Sequence, residues 1–379
     1  MSNFIEGIDE AAWRSMGELV YGSTERDVTR ALGSAGRGDL RDFAALISPA
    51  AAPFLEQMAQ TSHRLTRKRF GNTVQMYVPL YLSNECANIC TYCGFSVGNR
   101  IPRITLNDTQ LQAEADVVRG WGFQHVLLVT GESPIRVGVD YLSRALDQLR
   151  DQFSGLSIEV QPLLQHEYER LMEHGLTAVY VYQESYRRKN WKIYHPKGRK
   201  SNFDYRLDTP DRLGRAGMHT IGLGALIGLE DWRVESAFVG AHLRYLQRRY
   251  WKSRYSVAFP RLRPAEGQFK ANVHMSDREL VQLICAYRIF DEDVDLSLST
   301  RETPTFRDNV INLGITHVSA ASSTEPGGYS NPEQELEQFE VSDHRSAAEV
   351  AAMIRARGCE PVWKNWDRAL MQGDHLSGK

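Results

Sequence analysis

Eight short apolar runs, each followed by a longer stretch, recur between residues 73 and 322, and this alternation limits the possible folds more than any other feature. The runs are TVQMYVPLYL (73–82), HVLLVTG (125–131), LSIEVQ (156–161), AVYVYQ (178–183), TIGLGALIG (220–228), YSVAFP (255–260), DLSLST (295–300) and THVSAAS (316–322). Their near-continuous apolar character is that of strands covered on both faces. Helical candidates fall between them at 105–122, 138–153, 235–251 and 275–290, with Asn107 or Asp108 and Ser276 placed as N-caps. Eight βα units predict an α/β fold, a parallel (β/α)8 barrel of the TIM type, and a span of roughly 250 residues is the usual size of one. A Rossmann or flavodoxin-like sheet is the alternative. No GxGxxG follows the first strand, and eight units exceed what such a sheet normally needs.

Residues 1–70 read as a helical extension, in which Ser48 and Pro49 open a helix that runs without glycine to Gly71. The barrel is expected over 71–325. A C-terminal segment, 326–379, starts polar and acidic, continues as a helix near 346–358 and is expected to pack on the barrel. The formal net charge of −2 gives no global field for nucleic acid or an acidic membrane. No apolar run approaches the roughly 20 residues of a membrane span. The N-terminus lacks the basic and apolar regions of a signal peptide. The five cysteines do not suggest a disulfide framework, so the cytoplasm is the expected compartment.

Three of those cysteines lie within eight residues, in CANICTYC (86–93). Cys86, Cys90 and Cys93 form C-x3-C-x2-C directly after the first strand, at the end of a barrel where active sites are built. Structural zinc sites use four protein ligands. Three thiolates on one loop suit a soft inorganic centre with a coordination position left open, and cube-shaped iron–sulfur clusters ordinarily take four cysteines. A zinc site completed by a histidine or carboxylate elsewhere, in a non-catalytic protein, is the competing reading. Cys285 lies on an apolar helix and reads as a small buried hydrophobe, and Cys359 as incidental.

The remaining candidates stand at strand ends. Arg301 follows the seventh run and is placed to grip a carboxylate, with Ser319 and its neighbours in the eighth run as further donors. The alternative for Arg301 is a salt bridge to Glu302 or Asp308. Arg261 and Arg263 alternate after the sixth run, where each could hold a ligand or close an ion pair.

The cysteine spacing resembles the cluster loop of the radical S-adenosylmethionine (SAM) superfamily. That resemblance implies a [4Fe–4S] cluster held by Cys86, Cys90 and Cys93, with SAM chelated at the open iron and split by one electron into methionine and a 5′-deoxyadenosyl radical. It further implies SAM contacts from Tyr92 beside the last cysteine and from Gly131–Glu132, which resembles the step that meets the SAM amino group. Glu184 resembles the residue that holds the ribose, and Gln183, Ser185 and Tyr186 are expected along the same wall. Gly224 and Leu226 resemble the strand under the adenine, although the family more often has isoleucine at Leu226 and glutamate at Asp231. One of Arg261 and Arg263 completes the SAM site.

Longer phrases, among them RLTRKRFGNTVQMYVPLYLSNECANICTYCGFS, TPDRLGRAGMHTIGLGALIGL, SRYSVAFPRLRP, DLSLSTRETPTFRD, VSAASSTEPGGY and LEQFE, are similar to the tyrosine lyases of thiamine biosynthesis. This implies cleavage of the Cα–Cβ bond of L-tyrosine to 2-iminoacetate and p-cresol. Thiazole synthase is the implied partner, and a flavodoxin- or ferredoxin-type protein the implied electron donor. Two relatives share the motif set, the tyrosine lyases of hydrogenase maturation and the tryptophan lyases of peptide-antibiotic pathways. The first carry further clustered cysteines near the C-terminus, whereas here only Cys359 follows residue 325.

Overall fold

The computed structural model describes residues 3–265, 269–331 and 338–364. The eight expected strands are all present: β1 (Thr73–Ser83), β2 (His125–Thr130), β3 (Gly155–Glu159), β4 (Leu176–Tyr180), β5 (Thr220–Gly224), β6 (Arg254–Ala258), β7 (Asp295–Leu298) and β8 (His317–Ser319). All neighbours pair in parallel, and β1 joins both β2 and β8, so the sheet closes on itself. Each strand is followed by an outer helix, from Asp108–Gly120 after β1 to Ala347–Ala356 after β8. The chain is a closed (β/α)8 barrel.

Local chemistry sets the helix starts. Asn107 accepts from the Gln110 amide at 3.0 Å, and Gln110 returns a bond to the Asn107 amide. Ser276 and Glu279 form the same reciprocal pair. Each such cap satisfies donors that the first helical turn leaves open, for about 1 kcal/mol. The expected helix from Ser48 is split. Pro49–Phe54 is a 3-10 turn, with Pro53 inside it, and the α-helix runs from Leu55 to Phe70. Ser48 caps nothing there; its hydroxyl donates instead to the Ala45 carbonyl.

Strand alternation separates two environments. In β3, Leu156 and Ile158 are buried against the outer helices, whereas Gly155, Ser157 and Glu159 face the barrel interior. Burying aliphatic side chains of this kind contributes about 1.5–3 kcal/mol each. Many barrels fill the interior with branched apolar residues. Here the interior is polar and aromatic, with Tyr77, Tyr180, Tyr182, Ser256 and Ser297 among its lining.

A ninth strand, β9 (Glu360–Val362), pairs with the first residues of β1 outside the barrel. It was not expected, because three residues centred on Pro361 carry no periodicity. Residues 332–337, which include the first two of the LEQFE phrase, and the residues beyond 364 lie outside the described residues.

Candidate active site

The register of β1 against β2 slips between Tyr81 and Ser83, and the chain leaves the barrel there into the cysteine loop. Irregularities of this kind redirect a strand beside a site. The loop is fastened by its own carbonyls. The Arg103 guanidinium donates to Asn84 O at 2.7 Å, Phe95 O at 2.8 Å and Ser96 O at 2.7 Å. Asn99 donates to Gly94 O at 2.9 Å. Gly131 fits beneath, because a Cβ there would stand 2.4 Å from Glu85 O.

Cys86, Cys90 and Cys93 are all free thiols. Burial pushes each of them above the ordinary thiol range, and the charges of neighbouring cysteines add to this at Cys90 and Cys93. The Asn88 amide points at Cys86 Sγ across 3.5 Å, and Gln338 at Cys93 Sγ across 3.7 Å. Among the described residues no three His, Cys, Asp or Glu side chains converge on one point as a single ion requires. The donor set is three sulfurs on one loop, with hydrogen-bond donors behind two of them. This fits a cluster, which takes one thiolate per iron.

Cys93 opens onto a cavity at the barrel mouth, which Tyr92, Glu159, Glu184, Lys200, Leu226, Arg263, Arg301 and Ser319 also line. Tyr92 donates its hydroxyl to His195 Nε2 at 2.8 Å. Burial pushes His195 down to about 2, so the ring is neutral, and its Nδ1 lies 3.1 Å from Trp191 O. Glu184 has a left-handed backbone, φ 69°, unusual for a residue with a side chain. It accepts from Lys200 Nζ at 2.7 Å and faces Arg206 at 3.4 Å. Burial raises the Glu184 carboxyl, but Lys200 and Arg206 outweigh it and hold the group below the ordinary range.

Glu132 stands beside this cavity, with one oxygen 2.8 Å from Arg206 and the other 2.8 Å from the side-chain amide nitrogen of Asn88. Each oxygen keeps a second lone pair. Gly131 and Gly224 are not part of the cavity wall. A Cβ on Gly224 would stand 2.9 Å from the Tyr182 ring, so this glycine makes room for a neighbouring aromatic.

Several expectations are corrected. Ser185 and Tyr186 do not share the wall with Glu184. Ser185 Oγ and the Tyr186 amide donate to Glu235 at 2.6 and 2.7 Å, in the helical layer. Arg261 is clamped by Glu302 and Asp277 and is absent from the cavity wall, whereas Arg263 lines it. Arg301 forms neither of its alternative salt bridges. Glu302 is taken by Arg261 and Arg263, and Asp308 by Arg345. Arg301 lies 3.4 Å over the Phe339 ring and, among the described residues, has no carboxylate partner. Ser319 Oγ accepts from the Thr300 amide at 3.1 Å while lining the same cavity.

Sequence reading missed Lys200, Arg206, Glu159 and Arg103. Lys200 and Arg206 lie in the long connection after β4, which has no apolar period to give them a place. Glu159 had a detectable signal, a carboxylate inside an apolar strand.

A family model for the radical SAM superfamily matches residues 80–238, and one for the Biotin and Thiamin Synthesis associated domain matches residues 258–360. The 2-iminoacetate synthase of Escherichia coli strain K12 is 53% identical over 371 residues, 98% of each chain. That of Salmonella typhimurium strain LT2 is 52% identical over 373 residues, again 98% of each. The FeFe-hydrogenase maturase HydG from Carboxydothermus hydrogenoformans has a solved structure that matches with a TM-score of 0.88 at 28% identity, over 96% of this chain and 86% of that one. Radical SAM enzymes work with a [4Fe–4S] cluster and SAM. With relatives this similar along nearly its whole length, the chain belongs to the 2-iminoacetate synthase family of radical SAM enzymes.

Proposed function

We propose that this chain cleaves the Cα–Cβ bond of L-tyrosine to 2-iminoacetate and p-cresol, with SAM converted to 5′-deoxyadenosine and methionine, for the thiazole branch of thiamine biosynthesis. One observation carries the reading beyond family membership: Arg301, a partly buried cation with no carboxylate partner among the described residues, opens on the same cavity as Cys93. A buried charge left unpaired is costly, and an amino-acid carboxylate would complete it.

In this reading Cys86, Cys90 and Cys93 hold the [4Fe–4S] cluster. Cluster and SAM, when bound, supply a carbon-centred radical by one-electron cleavage of the sulfonium. Glu132, Glu184 and Arg263 are assigned to SAM, with Tyr92 and Leu226 along its path. Lys200 and Arg206 fix the two carboxylates. Arg301 and Ser319 hold the tyrosine carboxylate, which fixes the Cα–Cβ bond relative to the reacting nitrogen. Such orientation is the main catalytic task for a bond that breaks only when aligned. The aromatic wall of Tyr77, Tyr81 and Tyr182 keeps water from the reacting atoms.

We assign thiazole synthase as the receiving partner, because an imine of glyoxylate hydrolyses readily in water and profits from direct transfer. A flavodoxin- or ferredoxin-type donor would supply the electron. A reducing cytoplasm is supported by five free thiols, and no helix among the described residues is long and apolar enough to cross a membrane.

The test is anaerobic incubation of reconstituted protein with SAM, reductant and either tyrosine or tryptophan. p-Cresol from tyrosine is expected. An indole product from tryptophan, with none from tyrosine, would assign the related tryptophan lyase activity. Zinc in place of iron and sulfide in anaerobically purified protein would remove the enzyme reading altogether.

A further inference from the structure

The cavity holds a second charged group without a partner. Glu159 ends β3, and its side chain enters the cavity that Arg301, Ser319 and Cys93 line. Among the described residues it forms no hydrogen bond and no ion pair. In the closed order of strands, β3 and β7 stand opposite each other, so Glu159 and Arg301 face one another across the mouth. The other carboxylates of that wall are already held, Glu184 by Lys200 and Arg206 and Glu302 by Arg261 and Arg263. The cavity therefore offers one unpaired anion and one unpaired cation, the complement of an amino-acid zwitterion.

We propose that Glu159 receives the substrate's α-ammonium group and takes its proton before the radical step. This rests on tyrosine being the substrate. In the transfer an N–H bond of the ammonium breaks, its electron pair stays on nitrogen, and an O–H bond forms on Glu159. The products are a neutral amine and a carboxylic acid, and no oxidant or reductant enters. The amine nitrogen then presents a hydrogen atom rather than a proton for abstraction.

Burial, and next the charge of Glu184, push the Glu159 carboxyl up to about 7, while Arg301, Lys200 and Arg206 act against them. A base near the working pH is suited to this exchange. The groups facing it are Tyr77 and Tyr81 from β1, Tyr180 and Tyr182 from β4 and just beyond, Glu184, Lys200 and Arg206 from the connection after β4, and Arg301 after β7. Burial raises all four phenols, so none competes as an anion near neutral pH.

The experiment uses full-length, cluster-reconstituted Glu159→Gln with SAM. Three ligands are compared by equilibrium dialysis: L-tyrosine, L-phenylalanine, and 3-(4-hydroxyphenyl)propionate, which lacks the amino group. Wild type is expected to prefer tyrosine, and Glu159→Gln to lose that preference. p-Cresol formation should fall by about 100-fold or more. Glu159→Asp should regain part of both, and it keeps the test open if the Gln variant fails to take up cluster. A Gln variant that keeps either its preference for the amino group or its p-cresol rate overturns the proposal. So does one whose loss is confined to discrimination between tyrosine and phenylalanine, which would place Glu159 at the phenol. Wild type that yields no p-cresol would instead overturn the assignment of tyrosine.

Discussion

Lys200 donates from Nζ to Glu184 across 2.7 Å, and both side chains are largely buried at the mouth of the barrel. The pair ties the connection after β4 back onto its own first residues, at one whose backbone is already strained. Removing one partner of such a pair strands the other charge, at a cost of about 3–5 kcal/mol.

Lys200→Met is therefore expected to lower stability by about 2–4 kcal/mol, toward the smaller end because Arg206 still faces Glu184. Cluster content should hold, and SAM affinity should fall by about tenfold as the Glu184 side chain loses its orientation. Urea unfolding and isothermal titration with SAM check both. Lys200→Arg should recover most of the stability, and a Met variant with an unchanged urea midpoint would contradict the pairing.

Arg301 invites the opposite expectation. Burial pulls its guanidinium below the ordinary range, and no carboxylate repays the desolvation among the described residues. Arg301→Met should leave stability within about 1 kcal/mol of wild type, or raise it. Tyrosine turnover should nevertheless fall by about 100-fold or more, because a charge-assisted bidentate contact is lost. Arg307 is the control. It forms a fully buried ion pair with Asp343, so Arg307→Met should cost about 3–5 kcal/mol in the same unfolding assay.

The two arginines after β6 separate by role. Arg261 is committed to Glu302 and Asp277, whereas Arg263 reaches the cavity. Arg261→Ala should destabilise the fold by about 1–3 kcal/mol, because the buried Glu302 is left with Arg263 alone. Arg263→Ala should weaken SAM binding with a smaller change in stability. Reversal of that pattern, in thermal unfolding and SAM titration side by side, would exchange the assignments.

These assignments show how far the sequence alone reaches. The barrel was readable because strands buried on both faces must be continuously apolar, and eight of them recur. Cys86, Cys90 and Cys93 were readable because a chelating loop needs short, fixed spacings. The orientation of Arg261 and Arg263 was not, since two residues of one type two positions apart look alike until Glu302 is placed. Glu184 was found but its partners were not. Lys200 and Arg206 reach it through a run of short helical turns, and only tertiary packing sets their positions. Ser185 and Tyr186 were misplaced for a related reason: the left-handed turn at Glu184 sends the next residues outward, and no local pattern announces that turn.

That outward turn carries a last expectation. Ser185 and the Tyr186 amide both donate to Glu235, which is buried in the helix Trp232–Arg249. Burial pushes the Glu235 carboxyl from 4.5 up to about 8, against those two hydrogen bonds and with smaller contributions from the charges of Glu230 and Asp231. Below 4.5 the group is neutral in both folded and unfolded chains and costs nothing. As pH rises from 4.5 toward 8 the unfolded chain loses its proton while the fold retains it, so stability falls, and above 8 the loss is complete. Glu235→Gln keeps an acceptor for the Tyr186 amide and removes the titration. It should match wild type near pH 4.5 and exceed it by about 1–3 kcal/mol at pH 8.5. Urea midpoints at the two values measure this. A variant that is less stable than wild type at the higher pH would show that the ionised carboxylate, rather than the acid, is what the two donors hold.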